Sequence, residues 1–463
     1  MSGGSGRDAP APPLERAGAW LEGLIDLERT PAARAPRLSL APMQALAERL
    51  GHPERGLSVV HVAGSKGKGS TALLAEAVLR EAGERVGTFT SPHLERWTER
   101  FRIDGDPVAE TDLARALEEI RPHVEALRAD PFAPDPSFFD ATTAAALLLF
   151  REAGVDRAVI EVGLGGRLDS TNVVEPAVSC ITSIELEHTD RLGSTLAAIA
   201  REKAGIVKRE RPVVAGRLPA EAAGVVAERA AQLGAPLSAL GADFFVDVIG
   251  EPTLRGMRVR FRDGDLDVEA QLPLAGRHQA ENAALALACA RRLGARSIPA
   301  LAAAARSGLA RAALPGRIEV LGERPLRVVD AAHTERSAAA LATTLARLPR
   351  GRTHLLLSVS GDKRLPEILG HVLPLADAVF VTRAEPVRSR DPAELAQAIA
   401  RAAPALPVRT VADPSEAVRA AGEGLGPDDL LLVTGSVYLA GIARRALRDA
   451  ACADGSARTR TSR

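Results

Sequence analysis

Residues 57–90 constrain the fold more tightly than any other stretch of the chain. Leu57-Ser58-Val59-Val60-His61-Val62-Ala63 is a short apolar run that reads as a buried strand. The loop Gly64-Ser65-Lys66-Gly67-Lys68-Gly69-Ser70 follows it. Residues 71–82 then carry Leu73, Leu74, Ala77 and Val78 at helical spacing, with Gly83 as a C-cap, and residues 86–90 form the next strand. Strand, glycine loop, helix and strand in that order open a parallel α/β sheet.

The alternation continues. An opening helical region covers residues 14–50, and residues 141–152 are an apolar helix. Strands are expected at 157–162, 178–184 and 212–215, with a helix at 196–203. Between about residues 242 and 274 the period changes. Residues 256–261 alternate, Asp263-Gly264 offers a turn and residues 266–272 alternate again, which is a β-hairpin pattern placed at the edge of the first domain. An Ala-rich helical stretch from 279 to 311 leads to Leu314-Pro315-Gly316-Arg317, the expected domain boundary. Strands at 326–330, 355–359, 378–382 and 430–434 restart the alternation as a smaller doubly wound domain. The division is therefore 14–313 and 314–450, with disordered tails at 1–13 and 451–463.

Bulk properties remove several classes of function. Lys plus Arg equals Asp plus Glu at 59 each, so net charge suggests neither a nucleic-acid nor a membrane partner. No apolar run is long enough to span a bilayer, and the first residues lack the apolar core of a signal peptide. Cys180, Cys289 and Cys452 are widely spaced and read as buried or incidental thiols of a reducing cytosol. The basic residues are nearly all Arg, and only Lys66, Lys68, Lys203, Lys208 and Lys363 are Lys. Where Arg serves as the general cation, a remaining Lys marks a position that needs a compact, deprotonatable amine.

Four segments carry chemistry. In the glycine loop, backbone N–H groups and the following helix N-terminus suit phosphate oxygens, Lys68 suits the β/γ-phosphates, and Ser70 or Thr71 suits a magnesium ion. The loop breaks the common G-x4-G-K-[ST] form, because Gly69 separates Lys68 from Ser70. Glu161 ends a buried strand, where an acid is costly unless it meets a cation, and Gly163, Gly165 and Gly166 leave room for a ligand beside Arg167 and Asp169. His188, in Ile184-Glu185-Leu186-Glu187-His188-Thr189, follows the next strand and can reach the same sheet edge. Lys203, in Arg201-Glu202-Lys203-Ala204-Gly205, sits where Arg would serve a helix end equally well.

From about residue 21 to residue 439 these motifs, with Thr90-Ser91-Pro92-His93-Leu94, Gly276-Arg277-His278-Gln279, Pro315-Gly316-Arg317, Asp330-Ala331-Ala332-His333 and Gly435-Ser436, stand in an order that resembles folylpolyglutamate synthase and dihydrofolate synthase of the Mur ligase superfamily. The resemblance implies a Mur-ligase-like P-loop ATPase domain that binds ATP and a pterin, with a small antiparallel β patch, and a C-terminal Rossmann-like α/β domain. It implies an ATP-dependent ligase: ATP phosphorylates a pteroate or folate carboxylate, and the amine of L-glutamate displaces the phosphate. It further implies that Ser70, Ser91, Glu161 and His188 hold magnesium, that Lys203 is carbamylated, and that Gly64 to Ser70, Asn282, Arg317 and Asp330 bind ATP. Ser137, Arg167, Leu168 and Asp169 fall on the pterin side, and His333 and Ser436 near the incoming glutamate, with Lys68, Lys203, His333 and Ser436 as the catalytic set. A cytoplasmic monomer acting on small molecules is the corresponding expectation. Three departures bear on the substrate: Lys66 replaces an amide in the loop, Thr334-Glu335 replaces Asn-Pro after His333, and Asp140 replaces a longer acid in Phe139-Asp140-Ala141-Thr142-Thr143. They leave open a Mur-type ligase for another acid and amino acid, or a nucleotide-binding homologue without ligase activity.

Overall fold

The computed structural model describes residues 13–25, 38–294, 296–348 and 350–460. The N-terminal tail expected over 1–13 thus lies outside the described residues except for Pro13, which opens the helix Pro13–Glu22. The helix Val437–Arg460 runs through most of the expected C-terminal tail, and 461–463 are not described. The chain divides into two compact units. One holds residues up to 91, 98–244 and 285–304; the other holds 92–97, 245–284 and the chain from 305 onward.

The first unit is built on an eight-stranded sheet. Its strands are β1 (Val59–Ala63), β2 (Val86–Phe89), β3 (Phe101–Ile103), β4 (Asp106–Pro107), β5 (Arg157–Glu161), β6 (Val178–Ile181), β7 (Val213–Ala215) and β8 (Leu237–Ala239), in the order β4-β3-β2-β5-β1-β6-β7-β8. β2 to β5, β5 to β1, β1 to β6, β6 to β7 and β7 to β8 pair in parallel, and the β2–β3 and β3–β4 pairs are antiparallel. Every residue of β1, β2 and β6 is buried, which is why those strands read as unbroken apolar runs. The chain leaves β1 toward β2 and later returns to place β6 on β1's other flank. The C-terminal end of β1 is therefore the crevice where open α/β sheets bind ligands.

The second unit holds two sheets. β9 (Phe244–Thr253), β10 (Gly256–Asp263) and β11 (Leu266–Leu272) form a three-stranded sheet in the order β11-β10-β9. The expected hairpin is β10–β11, antiparallel from Met257↔Leu272 to Asp263↔Leu266, with alternate residues buried. By contact grouping within the chain it falls with the second unit. The six-stranded sheet contains β12 (Glu319–Glu323), β13 (Leu326–Val329), β14 (Thr353–Leu357), β15 (Ala378–Val381), β16 (Val408–Thr410) and β17 (Leu430–Thr434), ordered β12-β13-β17-β14-β15-β16. All pairs except β12–β13 are parallel. Leu430 and Leu432 enter one core while Leu431 and Val433 enter the other, so helices cover both faces. Each such buried side chain contributes about 1.5–3 kcal/mol. Cys180 and Cys289 are buried free thiols and Cys452 is exposed, as expected. No described helix is long and apolar enough to cross a membrane.

Candidate nucleotide and ligase site

The parallel register places the first-unit residues. Val62 of β1 pairs with Glu161 of β5, and Ala63 with Ile181 of β6, so the glycine loop, Glu161 and the segment after β6 leave the sheet side by side. Gly64 (φ +151°) passes so close to β6 that a Cβ there would lie 1.9 Å from Thr182 Oγ1; no other residue fits. The helix Lys68–Glu81 begins inside the loop, three residues before the expected start. A Cβ at Gly69 would meet Glu161 Oε2 at 3.1 Å, which explains the glycine that breaks the common consensus: it lets the carboxylate approach the helix N-terminus. Glu161 Oε2 also accepts the Ser91 N–H at 3.0 Å, so the structure brings Ser91 and Glu161 together.

Lysines gather on one carbonyl. Lys68 Nζ donates to Gly64 O at 3.1 Å and Lys203 Nζ donates to the same oxygen at 2.8 Å. Lys203 is buried and also pairs with Glu187 Oε1 at 3.1 Å, while Lys66 Nζ reaches Glu187 Oε2 at 3.3 Å. Burial lowers the Lys203 ammonium from 10.5 to about 8 against the opposing pull of Glu187. Burial lowers Lys66 too, with Glu187 again opposing. For Glu187 burial acts upward, but Lys203, Lys66 and Lys68 outweigh it and hold the carboxyl well below its usual range. Glu187 is the residue that sequence reasoning passed over, one position before the chosen His188. The available signal was a charge imbalance: a loop with two Lys needs an acid nearby.

The metal expectation rests on fewer contacts. His188 is exposed, in a left-handed conformation (φ +46°) at the start of a short helix. Among the described residues no group of three or more His, Cys, Asp or Glu is arranged to hold a metal ion. The oxygens present nevertheless suit magnesium, which uses one or two carboxylates and takes its other ligands from hydroxyls, water and phosphates. Ser70 is buried in the first helical turn, and the adjacent Thr71 Oγ1 is buried without a hydrogen-bond partner.

The residues expected on the pterin side lie on two linked loops. Ser137 caps the helix Phe138–Ala153: its Oγ donates to Asp140 Oδ2 at 2.6 Å, and the Asp140 N–H donates back to Oγ at 3.2 Å. Ser170 Oγ donates to the other Asp140 oxygen at 2.6 Å. The shorter acid of this chain is thus held by two hydroxyls, although burial raises its pKa. Asp169 is buried and turned into its own loop. It accepts the N–H groups of Leu164 (2.8 Å) and Thr171 (3.0 Å), and burial lifts it from 3.8 to about 6. Leu168 is half-buried. Arg167 is exposed and pairs with Glu202 at 2.8 Å, and its N–H donates to Glu202 O at 2.7 Å. The Glu161–Asp169 and Arg201–Gly205 motifs are therefore two sides of one contact.

In the second unit the strand ends are laced together. Asp330 N donates to Val433 O at 3.0 Å and Gly435 N to Ala332 O at 2.9 Å, which puts the His333 and Ser436 segments side by side. The buried Asp330 carboxylate accepts from Ile318 N (2.7 Å) and Ala332 N (2.8 Å). Burial raises its pKa, and Arg317 opposes that. His333 Nδ1 lies 2.8 Å from Ala331 O, which assigns the proton to Nδ1. Ser436 Oγ accepts the Tyr438 N–H at 3.2 Å at the start of the last helix. Asn282 is buried on the helix Arg277–Arg292 and donates to Gln279 at 2.9 Å. The Thr334-Glu335 departure has a local role: Thr334 caps the helix Glu335–Leu345 together with Ser337, and Glu335 pairs with Arg364.

Comparison with known proteins finds two domain matches and several similar chains. Residues 62–290 match the Mur ligase middle domain, and residues 316–437 match the Mur ligase glutamate ligase domain. The dihydrofolate synthase/folylpolyglutamate synthase of Bacillus subtilis is 35% identical over 93% of this chain and 98% of its own length. A probable bifunctional folylpolyglutamate synthase/dihydropteroate synthase of Haloferax volcanii is 38% identical over 86% of this chain, but the match spans only 47% of that longer protein. The Mycobacterium tuberculosis folylpolyglutamate synthase, solved with ADP and AMPPCP, superposes with a TM-score of 0.85 at 32% identity, covering 94% of this chain and 98% of the other. Escherichia coli FolC, solved with DHPP and ADP, gives 0.82 at 30% identity, covering 95% and 98%.

Proposed function

Because the chain belongs to the folylpolyglutamate synthase/dihydrofolate synthase family of Mur ligases, which are ATP-dependent ligases, we propose that it phosphorylates a pteroate or folate carboxylate and joins it to L-glutamate. The carboxylate oxygen attacks the γ-phosphorus of ATP and ADP leaves. The glutamate amine then attacks the acyl carbon, inorganic phosphate leaves, and the amine proton passes to a base. The observation that carries this reading is the convergence of Lys68 and Lys203 on the Gly64 carbonyl, with Glu161 against Gly69. Lys68 supplies the cation and the helix start the N–H donors where a transferring phosphoryl group gains negative charge, with the Lys203 amine beside them.

Each group has a proposed task. Lys68 and the N–H groups of the loop from Gly67 onward bind the phosphates, those of Ser65 and Lys66 being donated to Ser183. Ser70, Ser91, Glu161 and His188 would hold magnesium, which when bound neutralises charge on the transferring phosphate. Lys203 is carbamylated. Burial lowers its pKa to about 8, so far more of its amine is neutral near neutral pH than in a solvent-exposed lysine. Ser137, Arg167, Leu168 and Asp169 serve the pterin side, Asp169 by holding its loop in shape. In the second unit, Asn282, Arg317 and Asp330 are the proposed nucleotide contacts, and His333 and Ser436 the glutamate-side pair. The His333 ring is oriented by its Nδ1–H, which donates to Ala331 O at 2.8 Å. The enzyme is taken to act as a monomer.

A phosphate-release assay on the purified chain tests this, with dihydropteroate and a tetrahydrofolate offered separately. Release is expected only when ATP, L-glutamate and one of these acids are all present. Absence of turnover with both acids sinks the reading. A Mur ligase with a different acid is the second reading. Its support is the Thr334-Glu335 departure, which the helix cap and the Arg364 pair now account for locally.

A further inference from the structure

Lys66 is the loop residue that the proposed chemistry has not used. Its backbone is fixed on both sides: its N–H donates to Ser183 Oγ at 2.8 Å, and its carbonyl accepts from Thr182 Oγ1 at 2.6 Å and Ser183 Oγ at 3.1 Å. From that anchor its ammonium reaches Glu187 Oε2 at 3.3 Å. The other oxygen of the same carboxylate takes Lys203 Nζ at 3.1 Å. Glu187 is therefore shared, one oxygen to each lysine. Lys68 donates to the Gly64 carbonyl and acts on Glu187 through space without a hydrogen bond to it.

This arrangement matters when Lys203 changes charge. The neutral Lys203 amine adds carbon dioxide: an N–C bond forms, one amine proton leaves to solvent, and a cation is replaced by a carbamate anion. Glu187 then faces an anion where it had a cation. Two neighbouring anions in a buried site are tolerated only with a cation on them. An uncharged amide at position 66 can donate a hydrogen bond but cannot supply that charge. We propose that Lys66 is a positioning residue, the cation that stays on Glu187 when Lys203 becomes a carbamate and so keeps the modified lysine in place beside the glycine loop. The inference rests on the carbamate reading of Lys203 given above.

The test uses the full chain and 13C-labelled bicarbonate, with the carbamate resonance followed by NMR. The signal is assigned to Lys203 by its absence in Lys203→Met. In Lys66→Gln the bicarbonate concentration for half-occupancy should rise about tenfold, the effect of losing one close charge in a partly buried site. Lys66→Arg, which keeps the charge, should restore it, an outcome that a purely structural role for the side chain does not predict. Equal bicarbonate dependence in the wild type and Lys66→Gln overturns the role of Lys66 and leaves the Lys203 reading standing. A wild type without a Lys203 signal overturns both.

Discussion

At the scale of single residues, the scarcity of lysine was the most productive signal. Three of the five lysines meet around Gly64 and Glu187. Composition could single them out because Arg is available everywhere else in this chain, so a retained amine implies a use that guanidinium lacks. Lys203→Arg tests that use. Arg keeps the positive charge but has no neutral amine to modify, so kcat should fall about a hundredfold or more, as when an activated group is removed from a catalytic site. Protein yield and ADP binding should be little changed. Full activity in this variant removes the carbamate role. Glu187 was not legible in the same way. Nothing in Glu185-Leu186-Glu187-His188 tells which acid turns inward, and only the fold places Glu187, rather than His188, against the two ammonium groups.

At the scale of elements, legibility followed burial. β1, β6 and β17 have every residue buried and stood out as apolar runs close to their observed bounds. β4 has two exposed residues and β16 three that are half-buried or exposed, so neither has a period to detect. β12 carries a register shift between Val320 and Gly322, which breaks the alternation of an edge strand. The capping box of the helix Phe138–Ala153 shows how a short motif can fix an element and a neighbouring loop together. Ser137 satisfies the first helical turn, and the same hydroxyl holds Asp140. Ser137→Ala should lower stability by about 1 kcal/mol, the usual cost of losing a Ser cap. It should also raise the KM for the pterin substrate more than that for ATP. A variant with unchanged melting temperature shows that the cap is not holding the helix start, and equal changes in both KM values remove the link to the pterin side.

At the scale of the whole molecule, the grouping of 245–284 with the second unit could not be read from chain order, because a unit assembled from separated segments leaves no local period. Long-range burial does leave a measurable trace in the first unit. His61 on β1 is fully buried, its Nε2 lies 2.8 Å from Thr171 Oγ1, and its Nδ1 has no partner. Burial, with a smaller push from Lys208, lowers its pKa from 6.5 to about 3. Between those values the unfolded chain takes up a proton that the folded chain refuses. His61 therefore adds stability that rises with pH across the window and is lost as pH falls below 6.5, amounting to about 2 kcal/mol by pH 5. Asp169, joined to His61 through Thr171, has the opposite sign. Its pKa is raised from 3.8 to about 6, so the folded chain binds the extra proton there and recovers roughly 1 kcal/mol over the same acidification. His61→Gln keeps an N–H for Thr171 but cannot titrate. Trp20 belongs to the first unit and Trp97 to the second, so a Trp97→Phe background leaves Trp20 fluorescence as the reporter of the first unit. Urea unfolding followed in this way at pH 7 and pH 5 should show His61→Gln losing about 2 kcal/mol less than its parent on acidification. Equal losses in the two proteins would mean that His61 is protonated within the fold, and that β1 carries a charged imidazole next to the glycine loop.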